Sequence, residues 1–343
     1  MRELIPFGWL VLYLLGSTAV AAGPEYDLVQ PIESRSRLVL QSARGRARVE
    51  RTGSASQTLR LRSDEVLTTL AETHGGWTAA GIREEESTTS LIIITRSSQG
   101  TQRLTPPASR RHPLRLRPIL AVEGERLDGM AWLEGTDFAS LSVRAASRAQ
   151  DGWSDVSVIA PPARGSQTGL VAVVLSDGSW LLVWSAFDGQ DDEILWSMGQ
   201  QDNWSRPTGV HKNNTAPDIM PALVATTNGA LLTWSRLIDG EYQLVLSRLK
   251  RSGGWSRPQV IGPPGSLEPA FVIQDDQLLL VYRHAWPRAW AVTEVSLDGS
   301  GRRLAVFSED VPSRPVVLRS SGENVEIRWP GNRKQVEGWE ALP

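Results

Sequence analysis

Short runs of hydrophobic residues alternate along most of the chain with turns rich in Gly, Asn and Asp. The clearest series covers residues 220–261, where MPALVATTNG, ALLTWSRL, EYQLVLSRL and WSRPQVI follow one another. Short runs rich in Val, Leu, Trp and Thr that end at Asn-Gly or Gly-Gly are typical of antiparallel strands joined by tight turns. We name the four strands of such a series A to D.

The same order of four strands recurs along the sequence. The units start at intervals of 46 to 52 residues, and they cover 65–106, 117–159, 169–210, 220–261, 268–308 and 314–343. Four strands in about 40 to 50 residues is the pattern of a β-propeller blade. The sequence therefore predicts an all-β fold, a six-bladed β-propeller with four antiparallel strands in each blade.

The last unit is one strand short. We expect the segment QTLRLRS at 57–63 to supply this outer strand, because pairing of the two chain ends leaves no blade with an open edge. The propeller then covers residues 57–343. Alternating residues within 23–56 predict a further hairpin at the closure.

Residues 1–22 differ from the rest of the chain. Arg2 precedes an apolar run from Leu4 to Leu15, and STAVAAG follows with small residues, which together predict a secretory signal peptide. A membrane anchor is the alternative, but the run is shorter than the roughly 20 residues that span a bilayer. We expect a periplasmic or secreted bacterial protein that has no stable membrane span after cleavage.

Large aromatic residues recur at two places in the units. We expect them to pack between neighbouring blades, since burial is the usual fate of repeated aromatics; an array that stacks on sugars is the alternative. Trp132, Trp184 and Trp234, with Tyr282 and Trp329, stand near the end of strand B, and Trp153, Trp204 and Trp255 start strand D.

The turn before strand D resembles the Asp-box, or bacterial neuraminidase repeat, Ser-x-Asp-x-Gly-x-x-Trp. Ser197 and Trp204 keep the spacing of seven, with Gly199 at the aspartate position and Gln201 at the glycine position. The equivalent stretches 147–153 and 247–255 are one residue shorter and one residue longer. The resemblance implies a sialidase-like propeller with degenerate repeats.

Sialidases hold a substrate carboxylate with three arginines and use a tyrosine nucleophile and an aspartate acid/base. The resemblance implies Arg117 and Arg314 as candidate arginines and Asp137 as the candidate acid/base. None of the tyrosines after the signal peptide, Tyr26, Tyr242 and Tyr282, opens a strand A. We therefore expect no enzyme activity. If the chain does catalyse a reaction, we expect it to be a glycoside hydrolase.

Composition argues against several kinds of partner and cofactor. The formal charge of −2 argues against nucleic-acid partners, and the absence of cysteine removes thiolate metal sites. The four histidines show no metal-ligand spacing, so we expect no cofactor. The acidic loop FDGQDDE, residues 187–193, offers Asp188, Asp191 and Asp192 as weak candidate Ca²⁺ ligands; a solvated acidic loop is the alternative.

The resemblance implies that the loops from D to A and from B to C share one face, which we name the loop face. On this face we expect a glycan or protein partner to bind, most of all at RHAWPRAW (283–290), because it combines arginines and tryptophans. The candidate binding residues are Asp188, His211, Arg236, Asp239, Arg283, His284, Trp286, Arg288 and Trp290.

Three hypotheses follow from the sequence. The first is an exported, non-catalytic propeller that binds a partner through its loop face. The second is a glycoside hydrolase with a rearranged active site. The third is a component of a cell-envelope assembly.

Overall fold

A computed structural model gives the structure of a large part of the chain. The predicted signal peptide lies outside the described residues, as do Trp286, Arg288 and Arg314. The structure describes residues 27–29, 38–43, 45–51, 56–107, 114–149, 152–162, 165, 167–200, 203–212, 215–250, 253–274, 277–285, 289–295, 303–307, 316–321, 324–329, 332–337 and 340–341.

The chain folds as an all-β, six-bladed β-propeller, which confirms the predicted fold class. Each of the six predicted units forms one antiparallel sheet, and the sheets contain three to five strands. Strand A starts each sheet, and B, C and D follow in chain order. Among the residues described, no helix has the length and hydrophobicity of a membrane span.

Blades 1 to 5 contain four or five strands each, and the described part of blade 6 contains three. Blade 1 contains β5 (Glu65–Thr73), β6 (Gly76–Glu85), β7 (Thr88–Ser97) and β8 (Gly100–Leu104); blade 2 contains β9 (Leu114–Glu123), β10 (Arg126–Gly135), β11 (Ser142–Ala149), β12 (Gly152–Trp153) and β13 (Ser157–Ala160); blade 3 contains β14 (Gln167–Val174), β15 (Trp180–Phe187), β16 (Asp192–Gln200), β17 (Asn203–Trp204) and β18 (Thr208–Gly209). Blade 4 contains β19 (Asp218–Thr226), β20 (Gly229–Ile238), β21 (Glu241–Leu249) and β22 (Gln259–Val260); blade 5 contains β23 (Ser266–Gln274), β24 (Gln277–His284), β25 (Ala289–Glu294), β26 (Arg303–Phe307) and β30 (Glu340–Ala341); blade 6 contains β27 (Val316–Ser321), β28 (Asn324–Trp329) and β29 (Asn332–Glu337).

An N-terminal sheet precedes blade 1 and is the main departure from the predicted architecture. It contains β1 (Asp27–Val29), β2 (Leu38–Ala43), β3 (Arg46–Arg51) and β4 (Gln57–Arg60) in that order. The segment expected to close blade 6 is thus β4, and it pairs with β3 instead. The short connection from β3 makes this the nearest available edge, and local pairing costs little loop entropy.

The end of the chain also pairs differently from the prediction. The described part of blade 6 has three strands, and β30 adds to the outer strand of blade 5 through Arg303–Ala341 and Leu304–Glu340 pairs. Four strands per blade therefore holds for some blades but not for all.

The hydrophobic core lies between the sheets rather than inside any one of them. Trp132, Trp184, Trp234 and Tyr282 are almost completely buried, and each packs at a different boundary between successive blades. The N-terminal sheet covers blade 1 in the same way, since its Leu40 shares a cluster with blade 1 residues. Burial of one such aromatic contributes about 4 to 6 kcal/mol of transfer free energy.

The strand D tryptophans also join neighbouring blades, although they are only partly buried. Trp153 of blade 2 donates its indole N–H to the Thr105 carbonyl just after β8, at 2.7 Å. Trp204 lies against the hydrophobic cluster shared by blades 2 and 3 and packs edge-on against Trp180 of its own blade, with ring centroids 6.0 Å apart. Trp255 of blade 4 does the same against Trp196 of blade 3.

The serine after each of these tryptophans fastens strand D to strand C. The hydroxyls of Ser205 and Ser256 accept hydrogen bonds from the backbone N–H groups of Met198 and Arg248, at 2.9 and 3.0 Å. The Ser197 and Ser247 hydroxyls donate to the carbonyls of Ser205 and Ser256, both at 2.8 Å. We name this arrangement the serine clamp.

The serine clamp explains the irregular spacing in blade 2. There the Ser154 hydroxyl accepts from the N–H of Ser147, so Ser147 is equivalent to Met198 and not to Ser197. Ala146 takes the place of Ser197, and its distance from Trp153 restores the spacing of seven. Blade 2 therefore keeps half of the clamp.

Removal of the buried clamp hydroxyls should destabilise the propeller. We expect Ser197→Ala and Ser247→Ala each to lower the free energy of unfolding by about 1 kcal/mol in urea denaturation, because the partner carbonyl loses its donor. Ser87→Ala is the matched control at an exposed hairpin turn and should change stability by less than about 0.5 kcal/mol. Equal effects at positions 87 and 197 would contradict the clamp.

Candidate functional site

Polar side chains recur where the start of strand A lies opposite the end of strand B. Glu65 pairs with Arg83 in blade 1, and Asp218 pairs with Arg236 in blade 4. Blade 2 has the reverse order, with Arg115 bonded to the buried Glu134. The ion pair at this position is therefore first of all a repeated structural feature of the blades.

Blade 1 shows this feature in its purely structural form. Both oxygens of the buried Glu65 carboxylate accept hydrogen bonds from arginines, Oε1 from Arg83 and Arg103 and Oε2 from Arg103. Burial favours the neutral acid, but the hydrogen bonds from Arg103, the Arg62 backbone and Arg83 outweigh it and lower the pKa of Glu65 to about 2. All partners of this carboxylate are hydrogen-bond donors.

The ion pair of blade 4 has additional partners. Asp218 is completely buried and receives a bidentate pair from Arg236, with Nε on Oδ1 at 2.7 Å and Nη2 on Oδ2 at 2.8 Å. The indole N–H of Trp234 donates to Oδ1 at 2.7 Å. His211 Nε2 lies 2.8 Å from Oδ2, and the guanidinium Nη2 also contacts His211 Nε2.

His211 is held in place on three sides. Its Nδ1 lies 2.6 Å from the Lys212 carbonyl, and its ring stacks on Trp234 with an interplanar angle of 13°. Its Nε2 lies 3.9 Å from Oε2 of Glu193, which comes from the start of β16 in blade 3. Glu193, His211 and Asp218 each offer one ligand atom, and these atoms lie within 4.8 Å of one another.

The acidic loop of blade 3 borders this cluster. The Asp188 carboxylate accepts from the N–H groups of Gln190 and Asp191 and so organises the turn. Asp191 is only 5% exposed, and neither of its carboxylate oxygens has a hydrogen-bond partner. Burial and then the charges of Asp188 and Asp218 raise the pKa of Asp191. We name Asp188, Asp191, Asp192, Glu193, His211 and Asp218 the blade 3–4 cluster.

The electrostatics of the blade 3–4 cluster show an excess of negative charge. Burial, followed by the charges of Asp191, Asp188 and Asp218, raises the pKa of Asp192 to about 6. Burial and then the charges of Asp192 and Asp218 raise the pKa of Tyr242. Burial also opposes ionisation of Asp218, but hydrogen bonds from Arg236 and His211 lower its pKa.

Burial and hydrogen bonds also shift the pKa of His211. Burial favours neutral His211, but the hydrogen bonds to Asp218 and to the Lys212 carbonyl raise its pKa overall. Arg236 is thus the permanent cation that faces the five carboxylates of the cluster, and His211 adds a second positive charge when its ring is protonated.

The structure brings together part of the predicted binding set. Asp188 and His211 belong to the blade 3–4 cluster, and Arg236 contacts it through His211 and Asp218. Asp239 lies apart from the site contacts, in an exposed turn with a φ of 50°. Sequence reasoning missed Glu193 and Asp218. The signal for Asp218 was its equivalence to Glu65 at the start of strand A.

The tryptophan and arginine loop of blade 5 differs from the prediction. Trp290 does not lie in an exposed loop; it pairs with Arg283 and Phe307 inside the sheet and is 2% exposed. Arg283 lies 3.3 Å from Glu268, and His284 pairs with Ser266 in the strand ladder. Trp290 therefore serves packing, because the strand continues further towards the loop than the sequence pattern indicated.

Two of the three candidate sialidase residues, Arg117 and Asp137, lie in the described part of the chain. Arg117 does not open a strand; it lies within β9 at a β-bulge, with a φ of 49°, and precedes Pro118. Gly169, Met220 and Glu268 occupy the same bulge in blades 3 to 5. Asp137 is exposed, and hydrogen bonds from Ser140, the Ala139 backbone and Thr136 lower its pKa.

Comparison with known proteins supports the fold alone. The sequence matches no family model and no curated protein. A chain of a mitotic checkpoint complex superposes with a TM-score of 0.54 at 12% identity, over 94% of this chain and 92% of that chain. A protein of unknown function from Dyadobacter fermentans superposes with a TM-score of 0.50 at 11% identity, over 79% and 93%.

A prolyl endopeptidase superposes with a TM-score of 0.52 at 12% identity and covers 92% of this chain. The present chain spans about half of the length of that enzyme, 50%. Without a matching family model, the Asp-box resemblance stays a prediction.

The arginine-bonded carboxylate of blade 1 predicts a dependence of stability on pH. Since the pKa of Glu65 is lowered to about 2, its contribution is present above its ordinary value of 4.5 and is lost as the pH falls towards 2. We expect Glu65→Gln to lower the free energy of unfolding at pH 7 by about 3 kcal/mol and to flatten its decline between these pH values.

Glu85→Gln is the matched control for this experiment. Glu85 lies 3.8 Å from the same Arg83, but its side chain is 55% exposed. Its loss should cost at most about 1 kcal/mol. An equal loss of unfolding free energy in the two variants would contradict a stabilising role of the buried Glu65 carboxylate.

Burial of Trp290 predicts that its substitution acts on stability. We expect Trp290→Ala to lower the free energy of unfolding by about 3 to 5 kcal/mol in urea denaturation, because it leaves a large cavity. Trp290→Phe should cost much less. A stable Trp290→Ala variant would contradict the packing role and restore the binding prediction.

Proposed function

We propose that this chain is an exported, non-catalytic β-propeller that binds a protein partner with basic side chains through the loop face of blades 3 and 4. The observation that carries the proposal is Asp191, a buried carboxylate without a hydrogen-bond partner, next to the partly buried Asp192 and Tyr242. An ionised carboxylate in such a place needs a cation or a donor. Lysine and arginine side chains supply both.

Two features support a non-catalytic role. A sialidase-type nucleophile needs an activated tyrosine, but burial and nearby carboxylates raise the pKa of Tyr242, and Tyr282 is buried between blades. Asp137 has a lowered pKa, which is the wrong direction for a proton donor at neutral pH.

The charge and the packing of the loop face favour a protein over a glycan. The predicted sugar platform loses one of its two aromatic residues, because Trp290 is buried in the sheet. The carboxylates of the blade 3–4 cluster instead give one part of the face a negative potential, which attracts basic groups and speeds their association. A glycan would have to bind without this contribution.

A glycoside hydrolase with a rearranged active site is the second candidate. It is favoured by the grouping of Asp192, Glu193 and Asp218, since hydrolysis of this kind uses paired carboxyl groups. Turnover of an aryl glycoside that is lost in Glu193→Gln would support the hydrolase and would contradict the non-catalytic proposal.

The export part of the proposal depends on residues 1–22. We expect the protein that is purified from the producing cell to start just after Ala21 or Ala22, because small residues at this place suit signal peptidase. Mass spectrometry of the intact protein measures this. A mature chain that keeps residues 1–22 would contradict cleavage.

Basic peptides test the binding surface directly. We expect oligo-lysine and oligo-arginine peptides to bind more tightly than neutral oligosaccharides in calorimetric titrations, with affinity that falls as salt is added. The double variant Asp191→Asn, Asp192→Asn should weaken peptide binding about tenfold or more, through loss of charge pairs.

The matched control removes charges from another acidic stretch. Glu85→Gln, Glu86→Gln alters two exposed residues at the blade 1 hairpin and should leave peptide binding unchanged. An equal loss of peptide affinity in both double variants would show that the attraction is unspecific. Tighter binding of an oligosaccharide than of the basic peptides would indicate a glycan as the partner.

A further inference from the structure

Three potential metal-ligand atoms converge in the blade 3–4 cluster. His211 Nδ1 lies 2.6 Å from the Lys212 carbonyl, and since a carbonyl only accepts, Nδ1 carries a proton. In the neutral ring Nε2 then has a lone pair, which faces Asp218 Oδ2 at 2.8 Å and Glu193 Oε2 at 3.9 Å. A ring nitrogen fixed by a carbonyl on its other side is the usual setting of a metal-binding histidine.

We propose that Glu193, His211 and Asp218 bind a divalent transition-metal cation, with Zn²⁺ as the best fit. One imidazole and two carboxylates without a thiolate suit Zn²⁺ or Mn²⁺ better than they suit Ca²⁺, which prefers oxygen ligands. The ligands come from two blades, because Glu193 is the second residue of β16 and Asp218 begins β19. The bound ion would therefore join blade 3 to blade 4.

Arg236 indicates that this point requires positive charge. Its Nη2 contacts both His211 Nε2 and Asp218 Oδ2, so a guanidinium lies where the ligand atoms converge. Its Nε also donates to Asp218 Oδ1. When the planar guanidinium pivots about the hydrogen bond from Nε to Oδ1, Nη2 leaves the point where the ligand atoms converge, and a metal ion supplies positive charge there.

Asp191 supplies an observation independent of the three ligands. Both of its carboxylate oxygens are buried and without a hydrogen-bond partner, and Asp191 precedes the ligand Glu193 by two residues. A buried ionised carboxylate is costly unless a cation lies near it. A divalent ion in the blade 3–4 cluster offsets this charge as well.

The surroundings of Glu65 in blade 1 and of Asp218 in blade 4 distinguish a repeated ion pair from a metal site. The equivalent carboxylate there, Glu65, is surrounded only by donors from Arg83, Arg103 and the Arg62 backbone. Two acceptor-bearing side chains, His211 and Glu193, approach Asp218 in blade 4. An ion pair needs no such acceptors, whereas a metal ion does.

A doubly protonated His211 is the competing explanation. An imidazolium could donate to both Asp218 and the Lys212 carbonyl, but the guanidinium Nη2 would then contact a second cation. Metal binding to the purified chain distinguishes these two arrangements. The titration uses no partner, so its outcome is independent of the proposed binding function.

Isothermal titration of the full chain with Zn²⁺, after treatment with a chelator, tests the site. We expect one saturable site in the native protein, and Glu193→Gln and His211→Gln should each raise its Kd at least about tenfold. His74→Gln is the control, because His74 is an exposed histidine 3.1 Å from a carboxylate, Glu125, outside the site. It should leave the Kd unchanged.

Arg236→Met supplies a second measurement for the case that a ligand variant fails to fold. We expect its melting temperature to fall without metal and to recover on addition of Zn²⁺, since the ion replaces the lost positive charge. The proposal is overturned by the absence of saturable Zn²⁺ binding, by equal loss in His74→Gln, or by binding of Ca²⁺ in preference to Zn²⁺.

Discussion

Each sheet of this propeller can bury its faces only against the sheets on either side, and this constraint organises the whole molecule. Trp132, Trp184, Trp234 and Tyr282 each fill one boundary between successive blades. Because these residues lie in the middle of strand ladders, the interior tolerates little change. The junctions at the ends of strands A and B are less uniform, since blades 1, 2 and 4 place different side chains there.

The junction between strands A and B shows how function can arise at such a place. Blades 1 and 2 use it for a buried carboxylate and arginine pair. Blade 4 keeps the pair but adds His211 from the preceding loop and Glu193 from blade 3. At the structural ion pair of blade 4, Asp218, His211 and Glu193 thus approach one point that a single cation can occupy. Burial and the neighbouring carboxylates raise the pKa of Asp192 in the blade 3–4 cluster to about 6.

The repeat was predictable because it depends on local patterns. Strand length, turn residues and evenly spaced tryptophans identified six units, and the irregular spacing near Ser147 has a simple cause, since Ala146 is the true equivalent of Ser197. The closing strand was assigned wrongly, because the alternation within 57–63 predicts a strand but not its partner, and β4 pairs with β3, which precedes it in the chain.

The site was only partly predictable, for a physical reason. Loop placement identified His211, Arg236 and the acidic loop, but Glu193 and Asp218 lie at the starts of strands, and neither was singled out as a candidate residue. Trp290 shows the opposite error, because a tryptophan in an apparent loop proved to be a buried strand residue. Contacts between blades join positions far apart in sequence, and no local pattern contains them.

Anomalous X-ray scattering at the zinc edge, from crystals of the protein grown with Zn²⁺, tests the central claim most directly. The claim is that the junction of blades 3 and 4 is the functional centre of the molecule. The account predicts one strong peak at about 2.0 to 2.2 Å from His211 Nε2 and from carboxylate oxygens of Glu193 and Asp218, with the Arg236 Nη2 moved away. A map without a peak there, with Arg236 still bonded to both partners, would contradict it.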